Sequence, residues 1–227
     1  IVRNGFEIES RIFLPPEFDS NAIYPMVVDI DGGPSGVFMD SFNLTQQVLA
    51  ANGYVVLAVN PRGSATYGNE FMRAVIGDWG GEDYLDIMQS VEHLCSKTYI
   101  DEGALGITGY SYGGYMASWI IGHEKRFKAA VIGAPVTNLR SFYGTSDIGV
   151  RFSEIQLQSR PEENTGIFNR LSPLNYAQHV EAAVLLLHGE EDYRCPIEQS
   201  EQYFVALKRN GKIVEFVRFP DSSHSMI

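Results

Sequence analysis

The chain has 227 residues, 44% of them apolar and 20% charged, which is the balance of a folded globular protein and not of a disordered one. Its formal net charge of −11 argues against nucleic acid and anionic membrane surfaces as partners, since both need a basic patch. The longest apolar run near a strand signal, AAVLLL at 182–187, is far too short to span a bilayer.

Taken from the start, Ile-Val-Arg-Asn carries neither a methionine nor a charged-then-apolar leader. A processed chain or a fragment is expected, without a signal peptide. FEIESRIFL (6–14) alternates apolar and polar residues and reads as an antiparallel edge strand. MVVDI (26–30), YVVLAV (54–59), ALGIT (104–108), KAAVIG (128–133), AVLLLH (183–188) and IVEFVRF (213–219) are nearly continuous apolar runs. Such runs fit strands buried on both faces of a parallel sheet. Between them, 84–95 is a helix with Leu85, Met88, Val91, Leu94 and Cys95 on one stripe and Asp86, Gln89 and His93 opposite. Residues 196–209 open on Pro196, turn Ile197, Phe204 and Leu207 inward and stop at Asn210-Gly211. Residues 136–176 keep neither period and read as an irregular helical excursion between two strands. Alternating strands and helices without repeats predict one α/β domain over 1–227, a mostly parallel sheet with helices on both faces. Cys95 and Cys195 make no disulfide framework and no CxxC pair, so free thiols in the cytoplasm are expected.

One stretch asks for chemistry. Gly109-Tyr110-Ser111-Tyr112-Gly113 follows the run ALGIT, where a strand should hand over to a helix. Glycines relieve crowding at such a turn and leave the serine hydroxyl exposed, the context of a nucleophile elbow. The pattern alone would turn up in roughly one random chain in ten of this length, so a plain turn serine is the bland alternative. A serine becomes a nucleophile only when a neutral imidazole takes its proton and a carboxylate holds that imidazole. After an elbow the chain order is serine, acid, histidine. His93 lies upstream, His123 closes the following helix, His179 approaches a strand and His188 precedes the candidate acid. His224, in the loop FPDSSHSM after the last strand, is the base by elimination. The loop HGEEDYRCP (188–196) offers Glu190, Glu191 and Asp192 past a strand's carboxyl end, and spacing does not choose among them. An oxyanion needs two amide donors: Tyr112, next to the serine, and Gly32 or Gly33 of DGGPSG (31–36), since Pro34 has no N–H.

GYSYGGYMAS, DGGPSG, NPRGSATYG (60–68), GDWGGEDYLDI (77–87), SFYGTSDIG (141–149) and HGEEDYRCPIEQSEQ with the ending VRFPDSSHSM together resemble the prolyl oligopeptidase family of serine peptidases, nearest its acylaminoacyl-peptidase branch. The resemblance runs from about residue 2 to the end. It implies an α/β-hydrolase fold, a triad of Ser111, Asp192 and His224, and oxyanion donors at Gly33 and Tyr112. It also implies an apolar pocket for the residue on the acyl side of the cut, with Val136, Leu139 and Phe142 as lining. Arg62 and Trp79 look like structural members of their motifs, paired and packed. Three departures stand out. The family's N-terminal β-propeller is absent, so the chain is expected to be the catalytic portion of a longer protein whose propeller is its partner. A C-terminal helix usual in the family is missing, which would leave apolar surface bare and the base loosely held. Asp31 stands where the family usually has histidine. It must turn away to cap its loop, or activity must suffer.

The implied reaction is hydrolysis of short or N-acylated peptides through an acyl-enzyme. No metal or organic cofactor is expected, because no HExxH, no helix-opening GxGxxG and no Cys/His cluster occurs. The rival readings are a carboxylesterase on the same fold and a catalytically inactive fragment or binding module.

Overall fold

A computed structural model describes residues 1–225. The first segment makes a two-stranded ribbon, β1 (Val2–Arg3) and β2 (Phe6–Glu7), and then an edge strand, β3 (Glu9–Phe13). The central strands are β4 (Tyr24–Ile30), β5 (Val55–Asn60), β6 (Ile100–Tyr110), β7 (Phe127–Gly133), β8 (Ala183–Gly189) and β9 (Val214–Phe219). They form one seven-stranded sheet in the order β3-β5-β4-β6-β7-β8-β9. Only β3 runs antiparallel, setting Ile12 opposite Leu57. All the other pairs are parallel. The expected architecture therefore holds, with the alternating N-terminal segment on the edge and every residue of β5, apolar up to Asn60, buried.

Helices connect the strands: α1 (Leu44–Ala51), α2 (Asn69–Arg73), α3 (Glu82–Cys95), α4 (Tyr112–His123), α5 (Leu139–Thr145), α6 (Gly149–Leu157), α7 (Thr165–Arg170), a 3₁₀ turn over Pro173–His179, and α8 (Glu198–Arg209). Asn43 caps α1 by accepting the Gln46 amide, and Asn138 caps α5 in the same way. From Tyr112 to Gly122 every residue of α4 is buried, as expected of a helix that is apolar all round. Beside α1, Val27, Gly106, Thr108, Ala129 and Val131 of the sheet line a second, apolar groove. None of the helices among the described residues is long and apolar enough to cross a membrane.

In α3 the expected stripe of Met88, Val91, Leu94 and Cys95 is buried, as is Leu207 in α8, but in both helices polar side chains join the inward face. In α3, Leu85 is exposed while Asp83 and Asp86 are buried. Asp83 accepts the Tyr112 hydroxyl and the Tyr84 amide, and Asp86 turns to Arg62, whose Nε and Nη2 each reach a carboxylate oxygen at 2.8 Å and whose backbone N–H adds a third bond at 3.0 Å. This bidentate pairing rotates the acid into the core. In α8 the buried face is Gln199, Ser200, Tyr203 and Leu207, with Ile197 and Phe204 only half buried. Gln199 accepts the amides of Thr137 and Asn138, so a polar side chain occupies what would otherwise be an apolar position.

Arg62 is 5% exposed and Asp86 is fully buried, so removing the guanidinium takes away the bidentate partner and leaves the carboxylate a single cation contact, Arg3 Nη1 at 3.2 Å. Arg62→Ala is expected to lower stability in urea unfolding by about 3–5 kcal/mol. A loss below about 1 kcal/mol would show that the pair is not the anchor of this corner.

Candidate active site

Three connections bring the site together at the carboxyl edge of the sheet, where α/β proteins gather their functional loops. β6 ends at Tyr110, Ser111 takes φ 59° and ψ −119°, and α4 begins at Tyr112. A non-glycine residue rarely adopts that positive φ, and the surroundings hold it there. The Ser111 amide donates to Gly133 O at 3.0 Å, and the Ser111 carbonyl accepts the Tyr115 amide at 2.9 Å. The flanking glycines are steric: a Cβ on Gly109 would sit 2.3 Å from Gly113 O, and one on Gly113 would sit 2.1 Å from Ile30 O.

Asp192 follows β8 and His224 follows β9. His224 Nδ1 lies 2.7 Å from Asp192 Oδ2, and His224 Nε2 lies 3.0 Å from Ser111 Oγ. A carboxylate only accepts, so Nδ1 carries the proton and Nε2 presents a lone pair to the serine hydroxyl. The other carboxylate oxygen, Oδ1, accepts the amides of Arg194 and Cys195, both at 2.9 Å. Burial pushes the Asp192 carboxyl up, but hydrogen bonds from His188, His224 and the Cys195 amide outweigh it and hold the group well below the usual carboxylate range. Its two glutamate neighbours point elsewhere: Glu190 pairs with Arg218 at 2.7 Å, and Glu191 is exposed. His224 is also held from behind, because the Tyr110 hydroxyl donates to its carbonyl and the two rings lie 5.3 Å apart.

Asp31 turns into its own loop. Its Oδ1 accepts the Gly32 amide at 2.8 Å, which takes that N–H out of reach of a substrate. Gly33 and Tyr112 both face the cavity beside Ser111. The Tyr112 amide opens α4, where an N–H has no acceptor within its helix.

That cavity, about 270 Å³, is lined on its apolar side by Trp79, Val136, Phe142, Ile148 and Phe152, and elsewhere by Arg194, Cys195 and His224. Leu139, expected from the resemblance to line it, is not among its walls. It lies 1% exposed at the start of α5, with its amide bound to Ser172 Oγ, one turn before Phe142 brings its ring to the cavity. Trp79 packs edge-on against Tyr112 at 4.7 Å and also forms a cavity wall, so it is more than a structural motif residue. Ile148 and Phe152 escaped the sequence reading because their segment keeps no period. Arg194 stood in view two residues past the acid, and its guanidinium pairs with Asp147 at 2.8 Å. Cys195 Sγ lies 3.8 Å from Ser111 Oγ, but burial and the neighbouring Asp192 charge push its thiol up to about 12, so it is no rival nucleophile. Among the described residues no cluster of three or more His, Cys, Asp or Glu side chains is placed to hold a metal ion.

A profile of the prolyl oligopeptidase family matches residues 40–227. The chain belongs to the prolyl oligopeptidase family. Its fold is accordingly the α/β-hydrolase fold of that family's catalytic domain. It is 46% identical over 224 residues to an uncharacterized peptidase, YuxL, of Bacillus subtilis (strain 168), covering 98% of this chain and 34% of that protein. Among solved structures it is similar to an acylaminoacyl peptidase of Pyrococcus horikoshii, with 35% identity and a TM-score of 0.93 over 96% of this chain and 36% of that one. It is similar as well to an acylaminoacyl peptidase in complex with Z-Gly-Gly-Phe-chloromethyl ketone, with 36% identity and a TM-score of 0.93, again over 96% and 36% of the two chains. The chain thus spans about a third of the length of these prolyl oligopeptidase relatives.

Proposed function

We propose that the chain is the catalytic part of a serine peptidase that cleaves short or N-acylated peptides after a large apolar residue. The observation that carries this reading is the continuous relay from Asp192 Oδ2 through the His224 ring to Ser111 Oγ, at 2.7 and 3.0 Å. His224 Nε2 takes the hydroxyl proton as Ser111 Oγ bonds to the scissile carbonyl carbon. The carbonyl oxygen takes up the negative charge against the Gly33 and Tyr112 amides. Collapse breaks the C–N bond, and the Nε2 proton leaves with the amine. Water then gives its proton to Nε2 and its oxygen to the acyl carbon, freeing the acid and restoring the serine. Asp192 stays ionised throughout and stabilises the imidazolium.

The apolar walls give the substrate class. Trp79, Val136, Phe142, Ile148 and Phe152 offer an unsatisfied charge no partner, and they reward a ring or branched side chain. The likeness to a peptidase solved with a peptide ending in phenylalanyl chloromethyl ketone supports the same preference. In the whole protein, the family resemblance and the greater length of the relatives support a β-propeller that restricts substrates by size. Two buried free thiols suit the reducing cytoplasm as its location.

The test is a series of N-blocked peptide anilides that differ only at the residue before the cut. Phenylalanine is expected to exceed glycine in kcat/KM by about 10–100-fold, the worth of burying one large apolar side chain. Equal rates, or a preference for lysine or aspartate, would refute the assigned pocket.

A further inference from the structure

His188 is the last residue but one of β8, it is completely buried, and the relay above does not use it. Both of its ring nitrogens are engaged. Nε2 lies 2.7 Å from the Cys195 carbonyl and 3.3 Å from Asp192 Oδ2, and Nδ1 lies 2.7 Å from Ser200 Oγ on α8. A carbonyl oxygen only accepts, so Nε2 must carry the hydrogen, and in the neutral ring Nδ1 then accepts from the serine hydroxyl.

The consequence is a closed bracket around the acid. Asp192 Oδ1 holds the Cys195 amide while His188 holds the Cys195 carbonyl, so both polar ends of that residue are tied to the same turn. With His224 on Oδ2 and two amides on Oδ1, three donors hold the carboxylate, and His188 Nε2, whose hydrogen goes to the Cys195 carbonyl, stands 3.3 Å from Oδ2. We propose that His188 is a positioning residue for the Asp192–His224 pair: its Nε2–H fixes the turn that presents Asp192 and draws off part of the carboxylate's charge from His224. Its action on the reaction rests on the peptidase reading given above.

The sign of the effect follows from the neighbours. Asp192 is faced by His224 from the last loop, Tyr110 from β6, His188 from β8, and Cys195 and Arg194 from its own turn, with Asp147 opposite Arg194. Of these side chains His224 bonds Oδ2 at 2.7 Å, and the His188 ring stands nearest behind it, with Nε2 at 3.3 Å. Taking the His188 donor away leaves more of the negative charge for His224, so its imidazolium persists to higher pH and the acidic limb of kcat/KM moves upward.

The experiment uses the wild-type chain with His188→Leu and His188→Gln, the glutamine amide being long enough to replace the Nε2–H. In His188→Leu the acidic limb is expected to rise by about 0.5–1 pH unit and kcat to fall about tenfold, with KM little changed. His188→Gln is expected to restore the wild-type limb. A ring that merely fills space would lower the melting temperature in both variants and leave the limb where it was, and that outcome overturns the proposal, as does a downward shift. Nitrogen-15 NMR of the histidine rings in the unaltered chain at neutral pH needs neither turnover nor a foldable variant. It is expected to show His188 as the Nε2–H tautomer, and an Nδ1–H tautomer would overturn the proposal by itself. Absence of turnover in the wild-type chain would count against the peptidase reading alone, leaving the tautomer to decide the bracket.

Discussion

Replacing Ser111 with alanine is expected to lower kcat by about 10⁶ while leaving the melting temperature within a degree or two of the starting value. Among the described residues the hydroxyl's polar partners are His224 Nε2 at 3.0 Å and Cys195 Sγ at 3.8 Å, so its loss removes the proposed attacking atom and little packing. The backbone at 111 keeps its positive φ because the clamp there is made by main chain, through Gly133 O and the Tyr115 amide. His224→Ala is expected to cost nearly as much, since an un-ionised hydroxyl without a base is a poor nucleophile. The double variant should be no slower than either single one, because the two groups act as a unit. Steady-state rates on a Phe-anilide substrate decide this. A Ser111→Ala chain that kept more than about 1% of its turnover would show that another group does the attacking.

Asp192→Asn is expected to lower kcat by about 10⁴ near neutral pH. The direction is set by the two sides of the carboxylate. Oδ1 receives the Arg194 and Cys195 amides, both donors, so the asparagine oxygen must take that place. Its NH₂ then falls where Oδ2 was and points a donor at His224 Nδ1. Nδ1 is forced to accept, the ring proton moves to Nε2, and the imidazole offers Ser111 a hydrogen instead of a lone pair. The same NH₂ meets the His188 N–H, donor against donor, so some stability is lost as well. An Asn variant within tenfold of wild type would show that the carboxylate neither sets the tautomer nor steadies the imidazolium.

Much of this was legible in the residues, and the parts that were not have physical causes. Apolar runs buried on both faces announce a parallel sheet directly, which is why the central strands fall within a few residues of where MVVDI, ALGIT and AVLLLH place them. The elbow was legible because glycine is forced there twice by main-chain contact. Asp192 was not separable from Glu190 and Glu191 by spacing. What separates them is a salt bridge that draws Glu190 to Arg218 on β9, and the fold of the loop itself, which turns the Arg194 and Cys195 amides onto Asp192. The same holds for the inward faces of α3 and α8, where Arg62 and the Thr137 and Asn138 amides recruit polar side chains that an apolar count assigns to solvent. The cavity was the least legible part. Its walls come from Trp79, from α5 and from α6, and no single segment carries a pattern that says so.

The most direct test is reaction of the unmodified chain with a fluorophosphonate probe, followed by peptide mass spectrometry. The proposed priming of the hydroxyl by His224, with the proposed oxyanion donors Gly33 and Tyr112, should give one stoichiometric adduct on Ser111, lost in Ser111→Ala and greatly slowed in His224→Ala. A folded chain that takes no label, or takes it on a different serine, would contradict the assignment.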